Sequence, residues 1–144
     1  MIVRQLLDSK PSAHVETISE RETLGDVVKR LAELKIGAIV VTSGDGAVSG
    51  IISERDIVRQ LAAKGPDVLS TAVADTMTRD VVSCGPADTS DTLMSQMTEG
   101  RFRHMPVMEE GQLVGILSIG DVVKARMQDI EAEKDAMESM IKGF

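Results

Sequence analysis

The 144-residue sequence has no tryptophan, no tyrosine and only two phenylalanines. Its interior must therefore be aliphatic, built from Val, Ile, Leu and Ala, with nine methionines as adaptable filler. The shortage of rings argues against single-stranded nucleic-acid binding, which relies on aromatic stacking platforms. Surplus positive charge is also missing. A net charge of −7 argues against a phosphate-backbone partner. There is one cysteine, Cys84, so no internal disulfide forms, which fits a reducing compartment. Cys84, His14 and His104 are scattered and lack the close pairs of a zinc site, so Cys84 reads as a buried structural residue. No apolar run approaches the roughly 18 to 20 residues that span a bilayer. The apolar stretch at the N-terminus is too short for a signal peptide. The expectations are no nucleic-acid partner, no membrane partner and a cytoplasmic location. Length alone suggests one domain's worth of chain.

The second half of the chain echoes the first. Gly50-Ile51-Ile52-Ser53-Glu54-Arg55-Asp56-Ile57-Val58-Arg59 matches Gly115-Ile116-Leu117-Ser118-Ile119-Gly120-Asp121-Val122-Val123-Lys124, with five of ten positions identical at a register of 65. Upstream the register is 66, placing Glu22-Thr23 over Asp88-Thr89 and Ile39-Val40-Val41 over Met105-Pro106-Val107. The slip falls in a Gly-rich turn, Ser43-Gly44-Asp45-Gly46 against Glu109-Glu110-Gly111, where an extra residue is tolerated. The leaders correspond too: Val3-Arg4-Gln5-Leu6-Leu7 resembles Val73-Ala74-Asp75-Thr76-Met77.

Each unit reads as strand, helix, strand, strand, helix. In the first, strands are predicted at Val15–Ile18, Ala38–Thr42 and Val48–Ile52, and helices at Thr23–Leu34 and Arg55–Ala63. In the second, the strands are Val81–Ser83, His104–Met108 and Leu113–Leu117, with helices at Thr89–Glu99 and from Gly120 onward. A unit of about 55 residues is small for an independent core. Two copies are expected to pack sheet against sheet with pseudo-two-fold symmetry, giving paired clefts. The fold class is thus α/β (α+β), with boundaries at residues 1–66, 67–126 and a helical extension over 127–144.

Ser53-x-x-Asp56 and Ser118-x-x-Asp121 each stand where an apolar strand gives way to a helix. One reading is a capping box, although Glu or Gln is its usual third-position residue. The other is a ligand site, since a helix N-terminus offers N–H groups and a positive dipole end to phosphate. A short carboxylate there can accept hydrogen bonds from a ribose diol. The basic run Arg101-Phe102-Arg103-His104 is either a solvated edge or a phosphate clamp. The matching Lys35-Ile36-Gly37-Ala38 is much less basic, while Arg55 and Arg59 can supply charge, so the two sites should differ in ligand or affinity.

These residues resemble a CBS domain pair, the family named after cystathionine beta-synthase. The doubled Gly-apolar-apolar-Ser-x-x-Asp-apolar-apolar pattern carries the likeness, with Arg101–Val107 as the nearest local match. Val40 departs from it where Pro106 stands in the second unit, and Ala38 where His104 stands. The resemblance implies a regulatory module binding AMP, ADP, ATP, an NAD-type dinucleotide or S-adenosylmethionine in its inter-repeat cleft. Asp56 and Asp121 would hold ribose, assisted by Ser53 and Ser118. Thr17, Ile18, Ser83 and Cys84 would touch adenine. Backbone groups near Ala38 and His104 would read its edge, with Pro106 part of the motif, and Arg103, His104 and Arg55 would meet phosphates. Homodimers and a regulated protein acted on in trans are implied as well. Adenine would then lie between aliphatic walls.

No Gly-x-Ser-x-Gly elbow, His-Glu-x-x-His or Walker loop is present, so no enzyme is expected. The alternative is a structural homodimer that docks on a partner with vestigial ligand sites. Beyond Lys124, Met127, Ile130, Met137, Met140 and Ile141 recur near helical spacing, interrupted by Lys134. That stretch is either a tail on its own body or a dimer-stabilising helix.

Overall fold

The computed structural model describes residues 1–11 and 14–143. In chain order its elements are α1 (Val3–Asp8), β1 (Thr17–Ser19), α2 (Leu24–Leu34), β2 (Ala38–Thr42), β3 (Val48–Ser53), α3 (Glu54–Lys64), two short 3₁₀ turns (Pro66–Ser70 and Val73–Asp75), α4 (Ser90–Gly100), β4 (His104–Glu109), β5 (Gln112–Ser118) and α5 (Ile119–Lys142). The α/β repeat architecture is the one expected. One sheet runs β1-β2-β3, with β1 parallel and β3 antiparallel to β2; the other is the antiparallel pair β4-β5.

Each helix starts for a local reason. Thr23 caps α2, its Oγ1 accepting from Asp26 N–H while the Thr23 N–H donates back to Asp26 Oδ2. Leu24, Val27 and Leu31 then bury one face at helical spacing. The β4–β5 hairpin turns on Glu110 (φ 51) and Gly111 (φ 78), a two-residue loop with both residues left-handed. The longer first-repeat turn closes through Gly46 (φ 84), whose N–H bonds Ser43 O at 2.9 Å. That turn absorbs the one-residue slip between repeats.

Two expected strands are corrected. The first lies at Thr17–Ser19 rather than Val15–Ile18. Val81–Ser83 forms none; only Cys84 bridges β4, opposite Val107. Proline is the reason. In the first repeat the Glu20 N–H bonds Thr42 O and extends the ladder past β1. The matching residue is Pro86, which has no N–H, and Pro106 on the facing strand has none either. Between them the ladder shrinks to Cys84 N–H on Pro106 O at 3.0 Å and Met108 N–H on Cys84 O at 2.8 Å.

The chain forms two compact units, Val15–Val82 and Met1–His14 with Ser83–Phe144. They cut across the repeat boundary at 66/67, because each leader belongs with the other repeat's body. Val3 N–H donates to Asp88 O, and Val73 N–H donates to the equivalent Glu22 O, both at 2.8 Å. Val3 and Leu6 complete the core of Cys84, Leu93, Met97, Met105, Val107, Leu117 and Val122. Val73 and Met77 complete that of Ile18, Leu24, Val27, Ile39, Val41 and Ile52. Glycine makes both fits possible. A Cβ on Gly115 would lie 2.4 Å from Leu7 Cδ2, and one on the equivalent Gly50 would lie 2.8 Å from Met77 Sδ. The helical extension from residue 127 continues α5, which runs unbroken from Ile119 to Lys142.

Candidate functional site

The Val15–Val82 unit gathers Thr17, Ile18, Ala38, Ser53, Arg55 and Asp56; the other gathers Ser83, Cys84, Arg103, His104, Pro106, Ser118 and Asp121. Strand register brings the important ones together. Ala38 pairs directly with Ser53 across β2 and β3, and His104 pairs with Ser118 across β4 and β5. In each unit the strand-entry backbone expected to face a base therefore lies beside the helix cap expected to face a sugar. The link is tightened by Glu54 N–H on Gly37 O at 2.9 Å and Ile119 N–H on Arg103 O at 2.8 Å. Thr17 sits opposite Val40 in β1, with Ile18 buried beside it.

Both Ser-x-x-Asp motifs close as capping boxes. Ser53 N–H donates to Asp56 Oδ2 at 2.8 Å, and Ser53 Oγ accepts from Asp56 N–H at 3.4 Å. Ser118 N–H donates to Asp121 Oδ2 at 2.9 Å, and Ser118 Oγ accepts from Asp121 N–H at 3.1 Å. Thr23 and Asp26 build the same box on α2, so the box alone does not mark a ligand site. What distinguishes Asp56 and Asp121 is their place at a strand-to-helix step, facing a second strand's entry. In both, Oδ1 takes no part in the box, which leaves a carboxylate oxygen for further hydrogen bonds.

Lys10 carries no sequence motif, yet it enters this site. Its ammonium donates to Asp121 Oδ2 at 3.1 Å and to Ile116 O at 2.9 Å. No pattern in the sequence marks it, since the leader correspondence ends at Leu7 over Met77. Partial burial works to raise the Asp121 carboxyl, but the Ser118 N–H bond and Lys10 together outweigh it and hold it below the usual carboxylate value. Cys84 is the opposite case. Burial, with Asp88 nearby, pushes its thiol up to about 12, so it lines the unit as an inert apolar group. Its Sγ lies 3.7 Å from Pro106 O.

Two copies of one strand and helix unit, each with an aspartate anchored at the head of its last helix, define a tandem-repeat module. The family model described as the CBS domain matches residues 3–63 and 73–128. The chain belongs to the CBS domain family, whose pairs are generally regulatory, non-catalytic modules. It is 34% identical over 126 residues to the mitochondrial CBS domain-containing protein CBSX3 of Arabidopsis thaliana, covering 85% of this chain but only 61% of that protein. It is 49% identical to the CBS-domain containing protein ATU1752 of Agrobacterium tumefaciens, with a TM-score of 0.84 over 87% of this chain and 92% of that one. The fold is also shared, at 22% identity and a TM-score of 0.77 over 90% and 98% of the two chains, with the CBS domain pair of protein MJ0100, solved with 5′-methylthioadenosine and S-adenosyl-L-methionine.

Proposed function

We propose that the chain is a sensor that binds an adenosine-containing ligand and acts, as a homodimer, on a protein partner in trans. The observation that carries this reading is the doubled arrangement of Asp56 beside Ala38 and Asp121 beside His104, each aspartate keeping one carboxylate oxygen outside its capping box. That oxygen suits a ribose diol. Ser53 and Ser118 support it, strand-entry backbone at Ala38 and His104 reads the adenine edge, and Thr17, Ile18, Ser83 and Cys84 contact the base. Arg55, Arg103 and His104 take phosphates where the ligand has them. The adenosine ligands of MJ0100 support the ligand class, which for this chain comprises AMP, ADP, ATP, NAD-type dinucleotides and S-adenosylmethionine.

The test is thermal melting with each of these ligands in turn. A ligand that binds the native state raises the melting temperature by mass action. No shift with any of them at millimolar concentration would overturn the sensor reading. One observation favours the alternative of vestigial sites for the second repeat alone: Lys10 already sits on Asp121. On that reading, ligand shifts persist in Asp121→Ala and vanish in Asp56→Ala.

A further inference from the structure

We infer that Lys10 sets the charge of the ligand at the second repeat, selecting an anionic adenosine nucleotide over the cationic S-adenosylmethionine. The inference deepens the preceding reading and rests on it for Asp121 as the ribose anchor. Lys10 lies outside both Ser-x-x-Asp motifs, just after α1 and 111 residues from Asp121. Its ammonium nevertheless bonds Asp121 Oδ2 at 3.1 Å and Ile116 O at 2.9 Å. Pro106, the partner of Ile116 across the β4–β5 pair, has no N–H, so that carbonyl is open to the leader.

Tethering a leader does not call for a charge. In the first unit the equivalent Ile51 is tied by two backbone bonds, Ile51 N–H to Thr78 O at 3.0 Å and Thr78 N–H to Ile51 O at 2.9 Å. The second unit replaces that neutral pair with an ammonium and extends it to the carboxylate. The ion pair is no buried clamp either. Its two side chains are 31% and 29% exposed, and pairs open to solvent add little stability. What the arrangement does change is the charge a ligand meets.

An ammonium has three donors, and two are placed on Ile116 O and Asp121 Oδ2. Among the described residues nothing takes the third, which leaves it for a ligand oxygen. Asp121 keeps Oδ1 for a ribose hydroxyl, so sugar and ammonium share one carboxylate. The positive charge then stands within about one Debye length, roughly 8 to 10 Å, of a bound nucleoside 5′-phosphate. Burial works to raise the Asp121 carboxyl, but the Ser118 N–H bond and Lys10 hold it below its usual value, so at neutral pH carboxylate and ammonium offset each other. A phosphate meets no net repulsion from the ribose anchor and gains a charge-assisted bond. A sulfonium loses the attraction of a bare carboxylate and faces Lys10 instead. Asp56 is faced by Arg59 at 3.9 Å, whose side chain is 73% exposed and screened by water, so the selection belongs to the second repeat.

The test is titration calorimetry on the full chain carrying Asp56→Ala, so that the second repeat alone reports, with AMP, adenosine and S-adenosylmethionine. AMP is expected to bind more tightly than S-adenosylmethionine. Adding Lys10→Glu should lower the ratio of AMP to S-adenosylmethionine affinity by about tenfold or more, and change adenosine by less than about threefold. Lys10→Gln, which does not repel Asp121, should shift the ratio in the same direction and about half as far on a logarithmic scale. Lys10→Arg should keep the order, and ligand-free melting checks that each variant folds. Tighter S-adenosylmethionine in the parent, an unchanged ratio in both Lys10→Glu and Lys10→Gln, or equal weakening of all three ligands overturns the proposal. Binding to the wild-type chain that vanishes in Asp56→Ala places the ligand at the first repeat and overturns it as well. No binding to the wild-type chain overturns the sensor reading and the selector together, whereas a flat ratio with binding intact overturns the selector alone.

Discussion

The two repeats share a capped aspartate but differ in what stands next to it. In the first, Ile51 O accepts the backbone N–H of Thr78 at 2.9 Å, and Arg59, with a largely exposed side chain, stands 3.9 Å from Asp56 Oδ1. In the second, the equivalent Ile116 O accepts the Lys10 ammonium, which continues to Asp121. One carbonyl position is served by a neutral amide in one unit and by a full positive charge in the other. The charge arrives on a leader, not within the motif. Duplicated motifs can therefore keep their capped aspartates and still diverge through the segment folded against them.

The strongest way to break this comparison is to unseat the leaders. A methyl on Gly50 meets Thr78 O at 2.7 Å, a backbone atom that cannot move aside cheaply. On Gly115 it meets the end of the flexible Leu7 side chain. Gly50→Ala should cost about 1 to 3 kcal/mol as an overpacking change, and Gly115→Ala less. Urea denaturation midpoints measure both, and a reversed order would count against the backbone contact as the tighter one.

Removing each aspartate comes next. Asp56→Ala and Asp121→Ala should each lose about 1 kcal/mol of capping stability. Each should also lose the ligand-dependent melting shift of its own repeat. Survival of both shifts would leave the aspartates as caps alone.

A smaller effect sharpens the contrast through pH. The folded Asp121 carboxyl titrates below its ordinary value, so the unfolded chain binds that proton first as pH falls. Its stabilisation is complete above the unfolded value of about 3.9 and is lost as pH drops through the lower folded one. Asp121→Asn should flatten that acid limb in melting curves recorded against pH, and an unchanged limb would remove Asp121 from the acid response.

Smallest is Lys10→Met. The pair is about one-third exposed on both sides, so its loss should cost at most about 1 kcal/mol. Calorimetry should show AMP binding weakened relative to adenosine at the second repeat, with the first unaffected. Equal weakening of both ligands would mean that Lys10 shapes the site without sensing charge.

Much of the fold was legible along the chain. Helical periodicity placed α2, a continuous apolar run placed β2, repetition paired the two motifs, and Asp45-Gly46 marked the turn that absorbs the register slip. The aspartates were visible because the pattern occurs twice, but their closure as capping boxes was one of two open readings. The lost strand at Val81–Ser83 was misjudged because its apolar residues look like a strand, while its donors depend on Pro86 and on Pro106 in the facing strand. Lys10 was missed because no spacing links it to Asp121, 111 residues away.

The sequence by itself determined the two repeats, the aliphatic interior and the apolar stripe on α5. These depend on contacts within about four residues or on side-chain volume, which a linear pattern records. Tertiary structure decided which body each leader completes and which aspartate receives a lysine. Val3 on Asp88 and Lys10 on Asp121 form only when distant segments fold against one another, because leaders that resemble each other carry no local mark of the partner they fit.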